Sequence, residues 1–249
     1  MKKAFSILEL TFVVLIISLI LSIAKFQPKN DNRIFLAAEQ ILNDLNYVRS
    51  IALMQNSFRN SDFILATKDE WFKARWQLYF IRSKSATNNE QTYTIFLDKN
   101  GDGNANIGKT NINLDREIAL NILNSNKLMN SGQSGVISKD DERASKNFNI
   151  EKSYGVNSIK FVGSCSSYTR IIFDENGRLY SPLRTSKRKF DKILINKDED
   201  CIIKLTNTNS QNVCIIIDKL SGYAYIPEFK DEFTQLIKTK SSLKTCSSL

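Results

Sequence analysis

Residues 1–24 read MKKAFSILELTFVVLIISLILSIA, and the fold turns on how that stretch is read. Lys2 and Lys3 open it, and from Phe5 to Ala24 the sole charge is Glu9. Twenty helical residues rise about 30 Å, the thickness of a bilayer's hydrocarbon core. The pattern predicts a transmembrane helix over 5–24, a single pass through the inner membrane. The lysines keep the N-terminus cytoplasmic and the C-terminal domain lies in the periplasm. A carboxylate inside such a segment is costly and marks a function that needs a partner. Two plainer readings compete. One is a cleavable secretory signal, cut after Ala24 in the small-x-small run Ser22-Ile23-Ala24, which releases a soluble periplasmic protein. The other is a simple anchor with Glu9 at the wet interface.

Outward from that stretch, Lys25 to Arg33 is polar and holds Pro28, a candidate break or kink. In IFLAAEQILNDLNYVRSIALMQN, residues Ile34, Ala38, Ile41, Leu45, Val48 and Ala52 recur at spacings of 4, 3, 4, 3 and 4. That is one apolar helical face. It predicts an amphipathic helix within 25–56, the exported half of a long spine. From Ser57 the period changes. DFILA, WQLYFI, TYTIFL, SIKFV, TRIIF, CIIKL, VCIII and YAYI are short runs rich in β-branched and aromatic residues, separated by Asn, Gly, Asp and Ser. The stretch at about 98–154 interrupts them with a short helix, DREIALNILNSNKLM, and a polar mobile loop, NSGQSGVISKDDERASKN. The fold class that follows is α+β. A long N-terminal helical spine, half transmembrane and half amphipathic, packs on a periplasmic antiparallel β-domain over 57–249.

The chain has 249 residues and a formal charge of +9, enough for a sizeable core and only weakly suggestive of an anionic partner. It contains no histidine, which removes His-based triads, relays and metal sites together. Cys165, Cys201, Cys214 and Cys246 all fall on the exported side, and none forms a C-x-x-C. Cys201 and Cys214 flank IIKLTNTNSQNV, which reads as a hairpin turning near Asn207–Thr208. That reading sets the two opposite each other as a disulfide worth about 3 kcal/mol. Cys165 and Cys246 then pair by elimination.

AFSILEL, residues 4–10, resembles the processing site of type IV prepilins and pseudopilins. The resemblance implies a leader over 1–4, cleavage by prepilin peptidase between Ala4 and Phe5, and N-methylation of Phe5. Glu9 is then the fifth mature residue. The family's usual Gly before the cut is here Ala4. A methylated amine stays cationic, so Glu9 of one subunit can pair with the amine of a neighbour and fix the register of stacked helices. Later segments resemble the GspH/FimT-like minor pseudopilins. The end of the amphipathic helix carries Val48, Arg49 and Ala52 where that family favours Ala-Arg-x-x-Ala. WQLYFI and FLDKNGDG match a Trp-bearing strand and its Asp/Gly turn, and RIIFDENGRLY and VCIIIDKLSGYAYI match two late strands ending in Gly turns. The function implied is that of a structural subunit of a type II secretion or type IV pilus/competence filament. Its partners are prepilin peptidase and other pilins or pseudopilins, and it is not an enzyme.

Two binding readings remain open beside assembly. In DKNGDG, Asp98, Asn100, Asp102 and Gly103 fit the first half of a calcium loop, but the twelfth position is Lys109, where a carboxylate is wanted. The plainer reading is a hairpin turn with no cofactor. FimT-like relatives are associated with DNA uptake through a basic region, often a Gly-Arg-x-Arg turn. Here Gly177-Arg178-Leu179-Tyr180 supplies the first Arg alone, and Gly222-Tyr223-Ala224-Tyr225 supplies none. RLYSPLRTSKRKFDK gathers Arg178, Arg184, Lys187, Arg188, Lys189 and Lys192 around Tyr180 and Phe190, a composition suited to phosphate contact and base stacking. A solvated basic loop reads equally from the same residues.

Overall fold

The computed structural model describes residues 10–18, 32–106, 117–133, 135–231, 234–240 and 242–249. Ala4, Phe5, Glu9, Pro28 and Lys109 lie outside them. The chain divides into two units, Met1–Asn32 and Arg33–Leu249. In the first, the described residues form a helix, α1, over 10–18.

The second unit begins with α2 (Arg33–Leu53). All six residues of the expected apolar face are buried, joined by Ala37 and Asp44. That face packs against two four-stranded antiparallel sheets. The first has the order β2–β1–β6–β7, from β1 (Trp76–Arg82), β2 (Gln91–Leu97), β6 (Arg170–Phe173) and β7 (Leu179–Tyr180). The second has the order β10–β9–β8–β5, from β5 (Val156–Gly163), β8 (Cys201–Asn207), β9 (Asn212–Ile217) and β10 (Ala224–Tyr225). Leu78 stands at the register centre of the first sheet, opposite both Ile95 and Ile171. With Phe80, Tyr93, Ile203, Leu205, Ile215 and Ile217 it forms the core under Ile41 and Leu45. Each such aliphatic side chain contributes about 1.5–3 kcal/mol on burial.

Strand alternation sends the next residues to the far faces. Phe96 of β2 packs there with Ile118, Leu128 and Ile137. Ile202 of β8 and Ile216 of β9 pack with Cys214, Ile237 and Cys246. The covers are a hairpin of β3 (Leu120–Asn121) and β4 (Asn124–Leu128), and a three-stranded sheet of β11 (Phe229–Asp231), β12 (Thr234–Lys238) and β13 (Leu243–Thr245).

These findings correct the expected fold class and localisation. The molecule is mostly antiparallel β-sheet, four sheets in all among the described residues, and no long N-terminal helical spine is present among them. α2, the longest helix described, carries Arg33, Glu39, Asp44 and Arg49 within 21 residues. Among the described residues no helix is long and apolar enough to cross a membrane, so the single-pass inner-membrane placement does not stand.

The insertion also differs. Residues expected as a helix form β3 and β4, because Asn121 and Asn124 spend their side chains on turns, accepting from the Leu123 and Asn126 amides at 2.9 and 3.0 Å. The polar stretch after β4, expected as a mobile loop, buries Asn130, Ser131, Gln133 and Ile137. Asn130 closes it by accepting from the Gly132 amide and donating to Gln133.

The disulfides link Cys165 to Cys201 and Cys214 to Cys246, not Cys201 to Cys214. Register is the reason. In the β8–β9 hairpin Thr206 pairs with Asn212, which sets Cys201 opposite Ile217 and Cys214 opposite Lys204. Cys201 lies three residues from Lys204, an odd offset, so the two sulfurs point to opposite faces of the sheet. Cys201 faces the α2 side, beside Cys165 in the turn after β5, and Cys214 faces the tail carrying Cys246. Two such bridges suit an extracellular or periplasmic compartment.

Candidate functional site

The C-terminal end of α2 gathers three distant parts of the chain. Arg49 Nε donates to the Ser221 carbonyl at 2.7 Å, across 172 residues of sequence. Asn46 exchanges hydrogen bonds with the Ala224 backbone, both at 3.2 Å. Two Gly turns meet over Arg49. Asp174 closes the first, accepting from the Asn176 and Arg178 amides, and Asp218 closes the second, accepting from the Leu220 and Ser221 amides. Gly177 and Gly222 both take positive φ, at 75° and 68°. A Cβ on Gly222 would stand 2.0 Å from the Gly177 carbonyl oxygen, so backbone contact itself excludes a side chain.

Beside these turns lies a buried cation that the sequence did not single out. Arg75 is 1% exposed and stacks 4.0 Å over the Tyr180 ring. Its guanidinium stands 3.6 Å from Asp174 and 3.9 Å from Glu175, and Nε donates to the Phe72 carbonyl at 2.7 Å. No sequence motif marks an arginine at the first residue before a strand; the one available signal was the acidic pair Asp174-Glu175, which needed a partner.

Asp174 and Glu175 also decide the state of the basic loop. Arg178 binds Asp174 at 2.8 Å and lies over Phe190, while Lys189 binds Glu175 at 2.5 Å and stands 5.0 Å from the Trp71 ring. Burial pushes the Glu175 carboxyl up, but Lys189 and Arg75 hold it below its ordinary value. Two of the six candidate DNA contacts are therefore neutralised within the fold. Arg184, Lys187 and Arg188 are exposed beside exposed Phe190, and Lys192 is half-buried. The loop is ordered by Asp191, whose carboxylate accepts from the Lys187 and Arg188 amides at 3.0 and 2.8 Å.

The DKNGDG turn follows β2. Asp98 is buried, and its Oδ2 accepts from the Gly103 amide and from Gln77 Nε2, both at 3.0 Å. Asn100 and Asp102 bond each other across the turn. Glu117, which the sequence reading passed over, enters from the segment paired with β2 through the Phe96–Ile118 bridge. It is 3% exposed and accepts from the Lys99 amide at 2.6 Å, the Asn100 amide at 3.3 Å, and the amide and side chain of Asn106 at 3.0 and 2.9 Å. Burial lifts Asp98 to about 7, with the charges of Glu117 and Asp102 adding to it. Burial lifts Glu117 to about 7 as well, against the pull of its N–H donors. Among the described residues no three His, Cys, Asp or Glu side chains are gathered in a metal-holding arrangement.

A third polar cluster sits under α2. Tyr93 Oη donates to Asp44 Oδ2 at 2.5 Å, Gln40 donates to Tyr93 Oη and to the Asn147 carbonyl, and Tyr154 Oη donates to Gln40 at 2.6 Å. Compared with known proteins, the chain matches no family model, no curated protein and no solved structure.

Proposed function

We propose that the chain is a minor-pseudopilin-type subunit, an exported and non-enzymatic component of a type II secretion or type IV pilus/competence filament. In this reading prepilin peptidase cuts between Ala4 and Phe5, and Glu9 pairs with the new amine of a neighbouring subunit. No membrane placement enters it. The observation that carries it is the junction at the end of α2. Arg49, Gly177 and Gly222 belong to three of the segments that resemble the GspH/FimT-like family. They are far apart along the chain and meet at one point, where Arg49 binds Ser221 and Gly222 lies against the Gly177 carbonyl. The two disulfides add an oxidising compartment to the account.

The test is incorporation. Surface or secretion filaments are sheared from the native host and probed for this chain, with and without prepilin peptidase. The reading requires the chain in the filament fraction and its loss from that fraction in the peptidase deletion. Equal recovery in both strains, or recovery as free protein alone, defeats it.

A second reading is sequence-independent DNA binding through Arg184, Lys187 and Arg188. Their exposure beside Phe190 favours it.

A further inference from the structure

We propose that the free edge of β5 binds an extended, acidic segment of a partner protein, which joins the four-stranded sheet as a further strand.

β5 is the longest strand described, eight residues, and it stands last in its sheet with β8 as its one strand partner. Antiparallel strands bond through alternate residues. The Ser164 amide donates to the Asp200 carbonyl at 3.2 Å, which continues the ladder past the Gly163–Cys201 pair and sets its phase. Ser158, Lys160 and Val162 therefore bond to β8, and the N–H and C=O groups of Ile159 and Phe161 point the other way. Both ends of that edge are capped. Arg82 donates to the Asn157 carbonyl, and the Ser166 amide donates to the Gly163 carbonyl at 3.1 Å. Between the caps, Ile159 and Phe161 present a row of donors and acceptors with no strand on it among the described residues. Folded proteins cover or block such rows because an open row templates another strand.

A groove of about 590 Å³ runs along this row. Its other wall is the end of β1, from Phe80 to Arg82, which β6 leaves after the Tyr79–Arg170 pair. Phe80 meets Phe161 edge-on with ring centroids 5.7 Å apart, and Tyr168 and half-buried Ile159 line the groove beside them. An extended backbone satisfies the row of N–H and C=O groups, which an apolar small molecule does not. Charge then selects the side chains. The groove is lined by Arg82 and Lys160 and by no acidic residue. Arg82 pairs with Glu151 at 3.1 Å, while Lys160 stands directly opposite Lys204 in the β5–β8 register. The two ammonium groups share one face of the sheet and donate to the carbonyls of Leu249 and Ser247. Neither meets an Asp or Glu side chain among the described residues. Like charges opposite each other across a ladder are unfavourable, and an acidic residue of the added strand opposite Lys160 reverses the sign. Its neighbours along the strand fall on the face of Ile159 and Phe161 and are apolar, so the segment alternates apolar and acidic residues. The same charge opposes a second copy of the chain, because pairing Ile159 with Phe161 of that copy sets Lys160 against Lys160.

The experiment titrates the full chain, disulfides intact, into a fluorescein-labelled peptide, Glu-Val-Glu-Val-Glu-Val-Glu, and reads anisotropy. Saturable one-to-one binding is expected, with a Kd no weaker than about 100 μM. A peptide with lysine for glutamate and one with proline for valine bind at least about tenfold more weakly, the first through charge and the second because proline cannot donate to a ladder. Ile159→Pro removes the groove-side donor without touching a bond to β8, and it abolishes binding. Lys160→Glu changes an exposed side chain and leaves the backbone alone. It weakens the glutamate peptide and strengthens the lysine peptide, each by about threefold or more, and decides the matter if Ile159→Pro fails to fold. No saturable binding up to about 100 μM, equal binding of the glutamate and proline peptides, or a preference that Lys160→Glu leaves unchanged overturns the proposal. A dimer in sedimentation velocity that Ile159→Pro dissolves assigns the edge to a second copy and overturns it too.

Discussion

Replacing Asp44 by Asn is expected to stabilise the fold at neutral pH and to leave it unchanged in acid. Asp44 lies on the sheet-facing side of α2, 9% exposed, and burial raises its carboxyl from 3.8 to about 6 against the opposing pull of the Tyr93 hydrogen bond. The folded state therefore holds this proton more tightly than the unfolded chain between about pH 4 and 6. Its contribution is fully present below pH 4 and is lost as pH rises through 6. At about 1.4 kcal/mol for each pH unit separating the two values, ionised Asp44 costs the fold roughly 3 kcal/mol at pH 7.5. Asparagine keeps an oxygen for the Tyr93 hydroxyl and carries no charge. Asp44→Asn is then about 2–3 kcal/mol more stable than wild type at pH 7.5, roughly 4–12 °C in thermal midpoint, and equal to it near pH 4. Asp98 and Glu117 titrate alike in both proteins, so their contributions cancel from the difference. Urea unfolding of both proteins at half-unit steps from pH 4 to 8 measures it. A stability difference that is flat with pH, or an Asn variant less stable at pH 7.5, refutes the reasoning.

Four further outcomes rest on particular contacts. Removing Cys165 and Cys201 together opens a loop with a sequence separation of 36 and is expected to cost about 4 kcal/mol, read by the denaturant midpoint. Non-reducing peptide mapping of the same wild-type preparation should yield Cys165–Cys201 and Cys214–Cys246 peptides with no Cys201–Cys214 link. Gly222→Ala places a Cβ 2.0 Å from the Gly177 carbonyl at φ +68° and is expected to destabilise by about 2 kcal/mol or more, while Gly135→Ala, with open space around its Cβ, costs no more than about 1 kcal/mol. If the basic loop contacts DNA, the Arg184→Ala/Lys187→Ala/Arg188→Ala variant lowers the slope of log K against log salt by up to about 3 while Lys189→Ala changes it little; binding that the triple variant leaves intact removes the loop from the reading.

The apolar stripe of α2 was legible because six residues repeat at helical spacing, and each of them is buried. Asp44 stands three residues after Ile41 and so shares the buried side despite its charge; Tyr93 supplies the partner that no local pattern reveals. The β-runs were readable from their composition. Their division between two sheets was not, because the β1–β6 and β5–β8 pairings join strands far apart in the chain. The disulfide error came from centring the hairpin turn near Asn207–Thr208; the Thr206–Asn212 pair centres it on Asn209, which moves the pairing by three residues, an odd number, and so changes both the partner and the face. In the calcium-like turn the sequence offered Asp98, Asn100 and Asp102 but not Glu117, which lies eighteen residues beyond Lys99 and is brought back by strand pairing. The spine and its membrane half were read from composition at the N-terminus, where the described residues are helical over 10–18 and where, among the described residues, no helix is long and apolar enough to cross a membrane.

The most direct test of the assembly account is the intact mass and N-terminal sequence of the protein taken from its native host. The account requires a chain that begins at Phe5 with a methylated amine. A chain that begins at Lys25, or one that retains Met1 in a host with active prepilin peptidase, contradicts it.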